Sequence, residues 1–403
     1  MKIRITPGTL SGQVTPPASK SQCHRLIIAA ALTSGVSTLD HLSPSQDISA
    51  TLRCVQALGA QVSGAEISGL SPRFDGELPQ LDCGESGSTL RFLVPVALAV
   101  RGGGVFTGQG RLMERPMRPY EQLFHSKGID YVHAENSITV QGRLSYGRYE
   151  LPGNVSSQFI SGLMFALPLL EGESEIVLTS PLQSAGYVDM TVDALAQFGI
   201  TVERVENGWR IPGPQRGTPC QITAEGDWSQ AAFWMAAELL GSSVEIGGMN
   251  PHSVQGDRVM VEYCRALAGE GEVSLDVSQC PDLAPALAAI AALRAGEYTH
   301  LTGAGRLRMK ESDRIESIAQ TLNDLGAQVS TGADSLTILG KSRLNGGTCQ
   351  SCNDHRIAMM AAVAATRAVF PVEILGAECV AKSYPRFWAD YRMLGGRAEE
   401  NFS

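Results

Sequence analysis

The sequence predicts an α/β fold of two domains in which the helices are buried and the sheets lie outside. Its 403 residues exceed what one hydrophobic core usually serves. Six segments share one pattern: a polar start, an Ala/Leu-rich stretch and a short strand, most of them followed by a second helix with Gly near its end. We therefore expect a two-domain inside-out α/β barrel built from six βαβαββ-like units, three in each domain.

The six units begin at similar spacings along the chain. They open at Lys20, Ser86, Ser156, Trp228, Asp282 and Asn353. The matching strands are predicted at residues 36–42, 104–107, 175–179, 243–246, 298–302 and 372–375. A glycine is expected to end most second helices in a left-handed conformation, as at Gly59, Gly128, Gly199, Gly269, Gly326 and Gly395.

The first helix of each unit is apolar nearly all round, whereas several strands mix polar and apolar residues. A helix that is apolar on every side must be buried, and a strand that alternates has one face in water. This contrast predicts helices inside and sheets outside. The Pro- and Gly-rich segment 212–225 is the predicted linker between the two domains.

Composition excludes several classes of function. The formal net charge of −9 argues against nucleic acid as a partner, because binding to a phosphate backbone needs a broad basic face. No apolar run reaches the ~20 residues that a membrane span needs, and no signal-peptide core follows Lys2 and Arg4. Nine scattered cysteines favour reduced thiols in a cytoplasm. The Cys349–Cys352 pair stands alone, so we expect neither a metal nor a cofactor.

The candidate functional residues are the polar residues that open the buried helices. Helix N-termini that point the same way sum their dipoles and attract anions. Residues 16–25 carry two cations and two hydroxyls ahead of an apolar run, and residues 83–91 form a glycine-containing polar loop. Ser156–Ser157–Gln158, Asp282 and Asp354–His355–Arg356 open three other helices. Each of these has a simpler reading as a helix cap or a structural residue.

Residues 306–315 concentrate four cations and two acids between a predicted strand and a helix. Asp313 and Glu316 form a capping box that starts the helix. A loop at the positive end of a helix dipole is suited to hold an anion. The alternative is a solvated loop whose charges neutralise one another. Residues 108–118 are a second Arg-rich loop at the equivalent place of the second unit.

Together these motifs resemble the EPSP synthases of the enolpyruvyl transferase family. The resemblance runs from P-x-S-K-S-x-x-x-R at residues 17–25 through G-E-S-G-S-T-L-R, G-x-x-R-x-x-E-R-P-M, S-S-Q-F, L-R-x-K-E-S-D-R and N-D-H-R-I-A-M to Lys382-Ser-Tyr-Pro. It implies transfer of the enolpyruvyl group of phosphoenolpyruvate to the 5-hydroxyl of shikimate 3-phosphate, with release of phosphate, in the shikimate pathway of aromatic amino-acid biosynthesis. It also implies a lobe of residues 19–225, a second lobe of residues 1–18 plus 226–403, a site in the cleft between them, and a monomer.

The resemblance assigns roles residue by residue. The expected catalytic residues are Lys20, Asp282, Glu311 and His355, with Asp282 as the base for the hydroxyl and Lys20 and Glu311 as proton carriers. The phosphoenolpyruvate set is Lys20, Gly87, Arg115, Gln158, Arg314, His355, Arg356 and Lys382. The shikimate 3-phosphate set is Lys20, Ser21, Arg25, Ser156, Ser157, Gln158, Ser184, Asp282 and Lys310. Glu85 and Arg306 depart from the family pattern, because Asn is expected at both positions in some members.

Three other functions fit the sequence less well. The transferase that acts on UDP-N-acetylglucosamine uses a loop cysteine and a Lys-Asn pair, whereas this chain has Lys20-Ser21 and no cysteine between Gly108 and Arg118. An RNA-end-binding or cyclising protein on a similar repeat would need a basic surface. A catalytically inactive anion-binding module would not need Glu311, Asp282 and His355 together.

Overall fold

Two lobes make up the chain in the computed structural model, which describes residues 1–401. The first lobe is Ala18–Ala224, and the second lobe combines Met1–Pro17 with Glu225–Ser403. The second lobe thus combines two stretches that are distant in the sequence. Its first two strands are β1 (Lys2–Thr6) and β2 (Ser11–Val14).

The first lobe contains three repeats of helix and sheet. The first has α1 (Lys20–Ala31), β3 (Val36–Asp40), α2 (Gln46–Ala57), β4 (Gln61–Ser63) and β5 (Glu66–Ser68). The second has β6 (Gln80–Asp82), α3 (Gly87–Arg101), β7 (Gly103–Thr107), α4 (Arg118–Ser126), β8 (Asp130–His133) and β9 (Ser137–Gln141). The third has β10 (Arg148–Leu151), α5 (Ser157–Ala166), β11 (Ser174–Leu178), α6 (Ala185–Gln197), β12 (Glu203–Val205) and β13 (Gly208–Ile211), and β14 (Gln221–Thr223) follows.

Every repeat of the first lobe forms one four-stranded sheet with the same topology. In the second repeat the strand order is β6-β7-β9-β8, with β6 parallel to β7 and the other pairs antiparallel. The third repeat follows the same rule, β10-β11-β13-β12. In the first repeat β14 supplies the parallel strand, beside β3. The segment predicted as a linker therefore contains a strand of the first sheet.

The second lobe also has three repeats. The fourth repeat has α7 (Trp228–Leu239), β15 (Ser243–Ile246) and α8 (Met260–Ala268). The fifth has β16 (Val273–Asp276), α9 (Ala284–Ala291), β17 (Tyr298–Thr302), α10 (Arg314–Asp324), β18 (Gln328–Thr331) and β19 (Ser335–Leu339). The sixth has β20 (Gly347–Gln350), α11 (His355–Ala365), β21 (Val372–Leu375), α12 (Phe387–Met393) and β22 (Arg397–Asn401).

The two N-terminal strands complete two sheets of the second lobe. β1 lies between β21 and β22, in the order β20-β21-β1-β22, and β2 pairs with β15 in a two-stranded sheet. The fifth repeat keeps the complete pattern, β16-β17-β19-β18. Among residues 1–401, none of the six sheets closes into a barrel.

The first helix of every repeat is buried along most of its length. In α11 all residues from His355 to Ala365 are buried, and in α9 all residues from Ala284 to Ala291 are buried. The strands alternate instead: in β19, Leu336 and Ile338 are buried and their neighbours are not. These patterns confirm the predicted class of fold, with helices inside and sheets outside.

The predicted helix-ending glycines are left-handed with one exception. Gly59, Gly128, Gly199, Gly326 and Gly395 all have positive φ angles. The prediction for Gly269 is wrong, since its φ is −76° and the chain leaves α8 extended. Arg294 replaces the usual turn there, because its guanidinium donates to the carbonyl oxygens of Leu267, Gly269 and Gly271.

Candidate active site

Three buried helices of the first lobe begin with a serine cap. The side chains of Ser19, Ser86 and Ser156 accept hydrogen bonds from backbone amides in the first turns of α1, α3 and α5. The other free amides and the helix dipole make each of these ends attractive to an anion. The sequence prediction placed most of the first-lobe site residues at these helix ends.

Lys20 opens α1 and is held by a carboxylate. Its Nζ lies 2.8 Å from Oδ2 of Asp47, and the two side chains are only 13% and 11% exposed. Asp47 lies in the first turn of α2. Sequence analysis missed Asp47, because an acid in the first turn of a helix is common and does not indicate a distant lysine.

Arg25 is a buried cation without an acidic partner. Its guanidinium donates to Thr191 Oγ1 and to the carbonyl oxygens of Ser21 and Tyr187, at 2.6–2.8 Å. It also lies over the ring of Phe92. Burial lowers the Arg25 pKa to about 9, and within the described chain no carboxylate forms an ion pair with it.

Ser184 belongs to the same neighbourhood. Its backbone oxygen accepts from the amide of Tyr187, the residue whose carbonyl binds Arg25. Ser184 is buried and adopts a left-handed conformation with φ 57°, immediately before α6. Such a conformation is uncommon for serine and is found at functional sites. The structure thus connects three predicted residues, Ser21, Arg25 and Ser184.

Gly87 and Arg115 meet at the start of α3. A Cβ atom added to Gly87 would lie 2.8 Å from Nη1 of Arg115 and 3.3 Å from Nη1 of Arg91. Arg115 is 8% exposed, and no described residue forms a hydrogen bond or ion pair with its guanidinium. Gly87 is not in the left-handed region. Glycine is needed here for space and not for a special backbone angle.

Gln158 is oriented by two neighbours from the second repeat. Its Oε1 accepts from Nη1 of Arg91 at 2.7 Å, and its Nε2 donates to Ser88 Oγ at 3.0 Å. Ser156 and Ser157 lie beside it at the start of α5, and Ser157 is buried. Sequence analysis quoted Arg91 within a motif but gave it no role. Here it determines which atom of the Gln158 amide faces Ser88.

In the second lobe the central residue is Arg314, which is 1% exposed. Its Nε donates to Asp354 Oδ2 at 2.7 Å, Nη1 donates to Asp282 Oδ1 at 2.8 Å, and Nη2 donates to Glu311 Oε2 at 2.7 Å. Burial disfavours the cation, but the three carboxylates outweigh it and raise the Arg314 pKa. Arg314 is therefore a permanent cation that fixes the other groups.

Asp282 brings three cations together. Its Oδ1 accepts from Arg314 and, at 3.3 Å, from Lys310, and its Oδ2 accepts from Arg356 at 3.0 Å. Burial lowers the Lys310 pKa, although Asp282 acts in the opposite direction. The contact with Lys310 is the longest of the three side-chain contacts.

His355 and Lys382 adjoin this cluster. His355 begins α11 and is 1% exposed, with its Nδ1 3.9 Å from Oδ1 of Asp354. Lys382 donates to the carbonyl oxygen of Asn353 at 2.7 Å. The structure therefore brings all seven predicted residues of the second lobe to one end of α9, α10 and α11. Sequence analysis gave no role to Asp354, which caps α11 and binds Arg314.

Ser229 and Asp257 form another buried pair that sequence analysis missed. Ser229 donates to Oδ2 of Asp257, and both side chains are buried. Burial and the charge of Asp282 raise the Asp257 pKa to about 6. Asp257 therefore adds a second titratable carboxyl group close to Asp282. No motif in the sequence marks this pair.

The two departures from the family pattern have local consequences. Arg306 donates through Nη2 to the carbonyl oxygen of Ser278 at 2.5 Å and so ties its 3-10 turn to the loop before α9. A Cβ atom on Gly110 would meet the carboxylate of Glu85. Glu85 thus packs against the loop that leads to Arg115.

Within residues 1–401, no group of three or more His, Cys, Asp or Glu side chains is arranged to hold a metal ion. Over the same range, none of the helices is long and apolar enough to cross a bilayer.

Comparison with known proteins gives a consistent result. The family model for EPSP synthase (3-phosphoshikimate 1-carboxyvinyltransferase) matches residues 5–391. The 3-phosphoshikimate 1-carboxyvinyltransferase of Clostridium acetobutylicum is 44% identical over 99% of this chain and 98% of its own length. That of Clostridium kluyveri is 43% identical with the same coverage.

Solved structures agree with the sequence comparison. An EPSP synthase from Acinetobacter baumannii superposes with a TM-score of 0.79 and 25% identity, covering 99% of this chain and all of the other. The enolpyruvyl transferase NikO from Streptomyces tendae has a TM-score of 0.78 at 17% identity and shares the fold. With a family model over nearly the whole chain and relatives above 40% identity, the chain belongs to the EPSP synthase family.

Proposed function

We propose that the polar residues of the two lobes carry out the reaction of this family. The enolpyruvyl group of phosphoenolpyruvate is transferred to the 5-hydroxyl of shikimate 3-phosphate, and phosphate leaves. The observation that carries the proposal is the unpaired positive charge of Arg25 and Arg115. Both are more than nine-tenths buried, and neither forms an ion pair with a residue of the described chain. An unpaired buried charge is costly, and a bound phosphate or carboxylate offsets that cost.

The two cations suit the two substrates. Arg25, with Ser21 and Ser184 nearby, binds shikimate 3-phosphate, together with Lys20, Ser156, Ser157, Gln158, Asp282 and Lys310. Arg115, beside Gly87, binds phosphoenolpyruvate together with Lys20, Gln158, Arg314, Arg356 and Lys382. Arginine is well suited to both because its planar fork matches carboxylate and phosphate groups.

Asp282 accepts the proton of the attacking hydroxyl. The hydroxyl oxygen forms a bond to the central carbon of phosphoenolpyruvate, while the methylene carbon takes up a proton. Glu311, with Lys20, supplies that proton, and His355 adjoins the same groups. Arg314 supports these roles because it holds Asp282 and Glu311 through one guanidinium.

The second half of the reaction follows from the product. The product retains an enolpyruvyl group, so the methyl carbon must lose one proton as the bond from carbon to the phosphate oxygen breaks. The group that gave the proton is the natural acceptor for its return. The buried cations favour departure of the phosphate, since they stabilise its negative charge.

We propose that the chain works as a cytoplasmic monomer on small molecules. Its nine cysteines form no disulfide within the described chain, which supports a reducing compartment.

Replacing Asp282 with Asn tests the proposed roles. The change keeps the shape of the side chain but removes the base, so kcat should fall by roughly 10²–10⁴-fold. Steady-state phosphate release measures this, and Asp130→Asn, on the exposed face of β8, is the control that should keep kcat. If kcat stays within twofold in Asp282→Asn, Asp282 is not the base.

Transfer of the enolpyruvyl group to UDP-N-acetylglucosamine in place of shikimate 3-phosphate would favour the activity of the other transferase of this fold.

A further inference from the structure

A chain of buried side-chain hydrogen bonds links α1, α2 and the start of α3 in the first lobe. His24 Nδ1 lies 2.7 Å from Thr51 Oγ1, Thr51 Oγ1 lies 2.6 Å from Thr89 Oγ1, and Thr89 Oγ1 donates to Ser86 Oγ at 2.8 Å. All four side chains are at most 1% exposed. The chain ends on the cap of α3, one residue before Gly87.

In the hydrogen bond between Thr89 and Ser86 the donor is Thr89, and this sets the direction of the other two bonds. Thr89 uses its only hydroxyl proton on Ser86, so it must accept from Thr51. Thr51 has then used its own proton, so it accepts from His24. His24 must therefore carry its proton on Nδ1. Its Nε2 has no partner in the described part of the chain.

This direction leaves the hydroxyl proton of Ser86 unused. Ser86 Oγ accepts from the Thr89 hydroxyl and from the Thr89 amide at 3.2 Å. Apart from Thr89, the Ser86 hydroxyl has no hydrogen-bond partner among residues 1–401. Arg115 is only 8% exposed, and its guanidinium has no hydrogen-bond partner among the described residues. Its Nη1 atom lies beside Gly87, at the same helix start. Two unused donors thus converge on the N-terminus of a 15-residue helix.

We propose that Ser86 is a further binding residue for the anionic substrate at the start of α3, and that His24 is the positioning residue that keeps the Ser86 proton directed at it. The inference rests on the proposed function, because it adds a donor to the phosphoenolpyruvate set. The ligand chemistry is a phosphate or carboxylate oxygen, which accepts from a hydroxyl.

His24 is suited to this role because it stays neutral. Burial lowers its pKa well below the usual value, and the charges of Lys20 and Arg25 act in the same direction. Without the Nδ1 donor, Thr51 is free to donate to the carbonyl oxygen of Asp47, 3.4 Å away. Thr89 would then donate to Thr51 and Ser86 would donate to Thr89. The Ser86 proton would turn away from the ligand.

The direct test is the tautomer of His24. In protein with ¹⁵N-labelled histidine, long-range ¹H–¹⁵N spectra distinguish the two ring nitrogens, and His24→Asn assigns the signal by its loss. The inference requires a proton on Nδ1 and a lone pair on Nε2. A proton on Nε2 would mean that the hydrogen bonds from His24 to Ser86 run in the opposite direction. That result would overturn the proposal, whatever reaction the protein performs.

Kinetics test the role of Ser86. Ser86→Ala should raise the KM for phosphoenolpyruvate about 10- to 100-fold, with the KM for shikimate 3-phosphate within about twofold. The matched control is Ser45→Ala, which removes a buried serine cap from α2 and should lower the melting temperature similarly without the change in KM. Equal effects of the two variants on that KM would reduce Ser86 to a plain cap and overturn the proposal.

Two substitutions of His24 separate positioning from packing. Asn places its amide N–H near the position of Nδ1, so His24→Asn should keep the wild-type KM for phosphoenolpyruvate. His24→Gln, which places its amide near the position of Nε2, should raise that KM several-fold. If both variants behave alike, the imidazole only fills space. Absence of phosphate release in the wild type would contradict the proposed function. The tautomer of His24 would still determine the direction of the hydrogen bonds between His24 and Ser86.

Discussion

At the scale of single residues, Arg25 is the clearest case of a buried charge that the protein leaves without a counter-charge. Three neutral oxygens and an aromatic ring surround its guanidinium, so the protein supplies geometry without a counter-charge. Arg314 shows the opposite arrangement, since three carboxylates already balance it. Arg25 should therefore act mainly in binding, and Arg314 mainly in holding other groups.

Arg25→Ala should raise the KM for shikimate 3-phosphate by about 10- to 100-fold, since a lost charge-assisted contact typically costs ~1.5–3 kcal/mol. Initial rates at varied shikimate 3-phosphate measure this. Arg294→Ala is the matched control, because it removes a buried arginine that binds only backbone and Thr299 oxygens in the second lobe. An unchanged KM in Arg25→Ala would remove Arg25 from the site.

Gly87→Ala should narrow the phosphoenolpyruvate pocket. The new Cβ would displace the end of the Arg115 side chain, which is flexible, so the protein should still fold. Glyphosate is longer than phosphoenolpyruvate, so its inhibition constant should rise by a larger factor than the KM for phosphoenolpyruvate. Inhibition kinetics compare the two. Equal losses for both ligands, or an unfolded variant, would contradict the placement of Gly87 against the substrate.

His24 should make the protein sensitive to acid. Its pKa is lowered in the folded state, so below about pH 6.5 the unfolded chain binds a proton that the folded chain does not. Its contribution to stability is therefore present above pH 6.5 and is lost as the pH falls. The free energy of unfolding of the wild type should drop relative to His24→Asn by ~1.4 kcal/mol per pH unit below that point. Urea unfolding at pH 7 and pH 5 measures the gap, and a constant gap would show that His24 titrates normally.

At the scale of elements, the close packing of α3 against α5 fixes the distance between Gly87 and Gln158. The Tyr120 hydroxyl shares its one proton between the carbonyl oxygens of Arg91 and Phe159, one on each helix and each 2.9 Å away. Gly162 lies at this crossing, where a Cβ atom would meet the Tyr120 hydroxyl and the Arg91 carbonyl. Backbone cannot move aside here as a side-chain end can.

Gly162→Ala should therefore destabilise the protein by ~1–3 kcal/mol. Gly8→Ala is the control, because a Cβ on Gly8 meets nothing within 4 Å and its backbone is not left-handed. Thermal or urea unfolding compares the two variants. A Gly162→Ala protein as stable as the control would mean that the two helices can separate at low cost.

The elements that could be predicted are those whose signal is local. The apolar first helices and the cap at Asp313 depend on neighbours within one or two turns, and the cap accepts from the Glu316 amide as expected. The prediction of a left-handed Gly269 was wrong because Arg294, distant in sequence, binds the carbonyl groups at that helix end. Asp47 and the ion pair of Asp354 with Arg314 were missed for the same reason, since the partners lie in other helices.

At the scale of the whole molecule, one repeat is used six times and altered where chemistry is needed. Among residues 1–401 five of the six sheets have four strands, while the helix starts differ in charge. The first lobe offers the unpaired cations Arg25 and Arg115, and the second offers carboxylates balanced by cations. In the proposed reaction both lobes contribute to substrate binding and to proton transfer, since Lys20 lies in the first lobe and Asp282 and Glu311 lie in the second. Neither set alone would suffice for it.

The most direct test of this account is the release of phosphate from phosphoenolpyruvate by the purified wild-type protein, with and without shikimate 3-phosphate. We expect release that depends on shikimate 3-phosphate and saturates with it, because the hydroxyl is needed to displace phosphate. Arg25→Ala should need more shikimate 3-phosphate to reach the same rate. Phosphate release that is equally fast without shikimate 3-phosphate, or absent with it, would contradict the account.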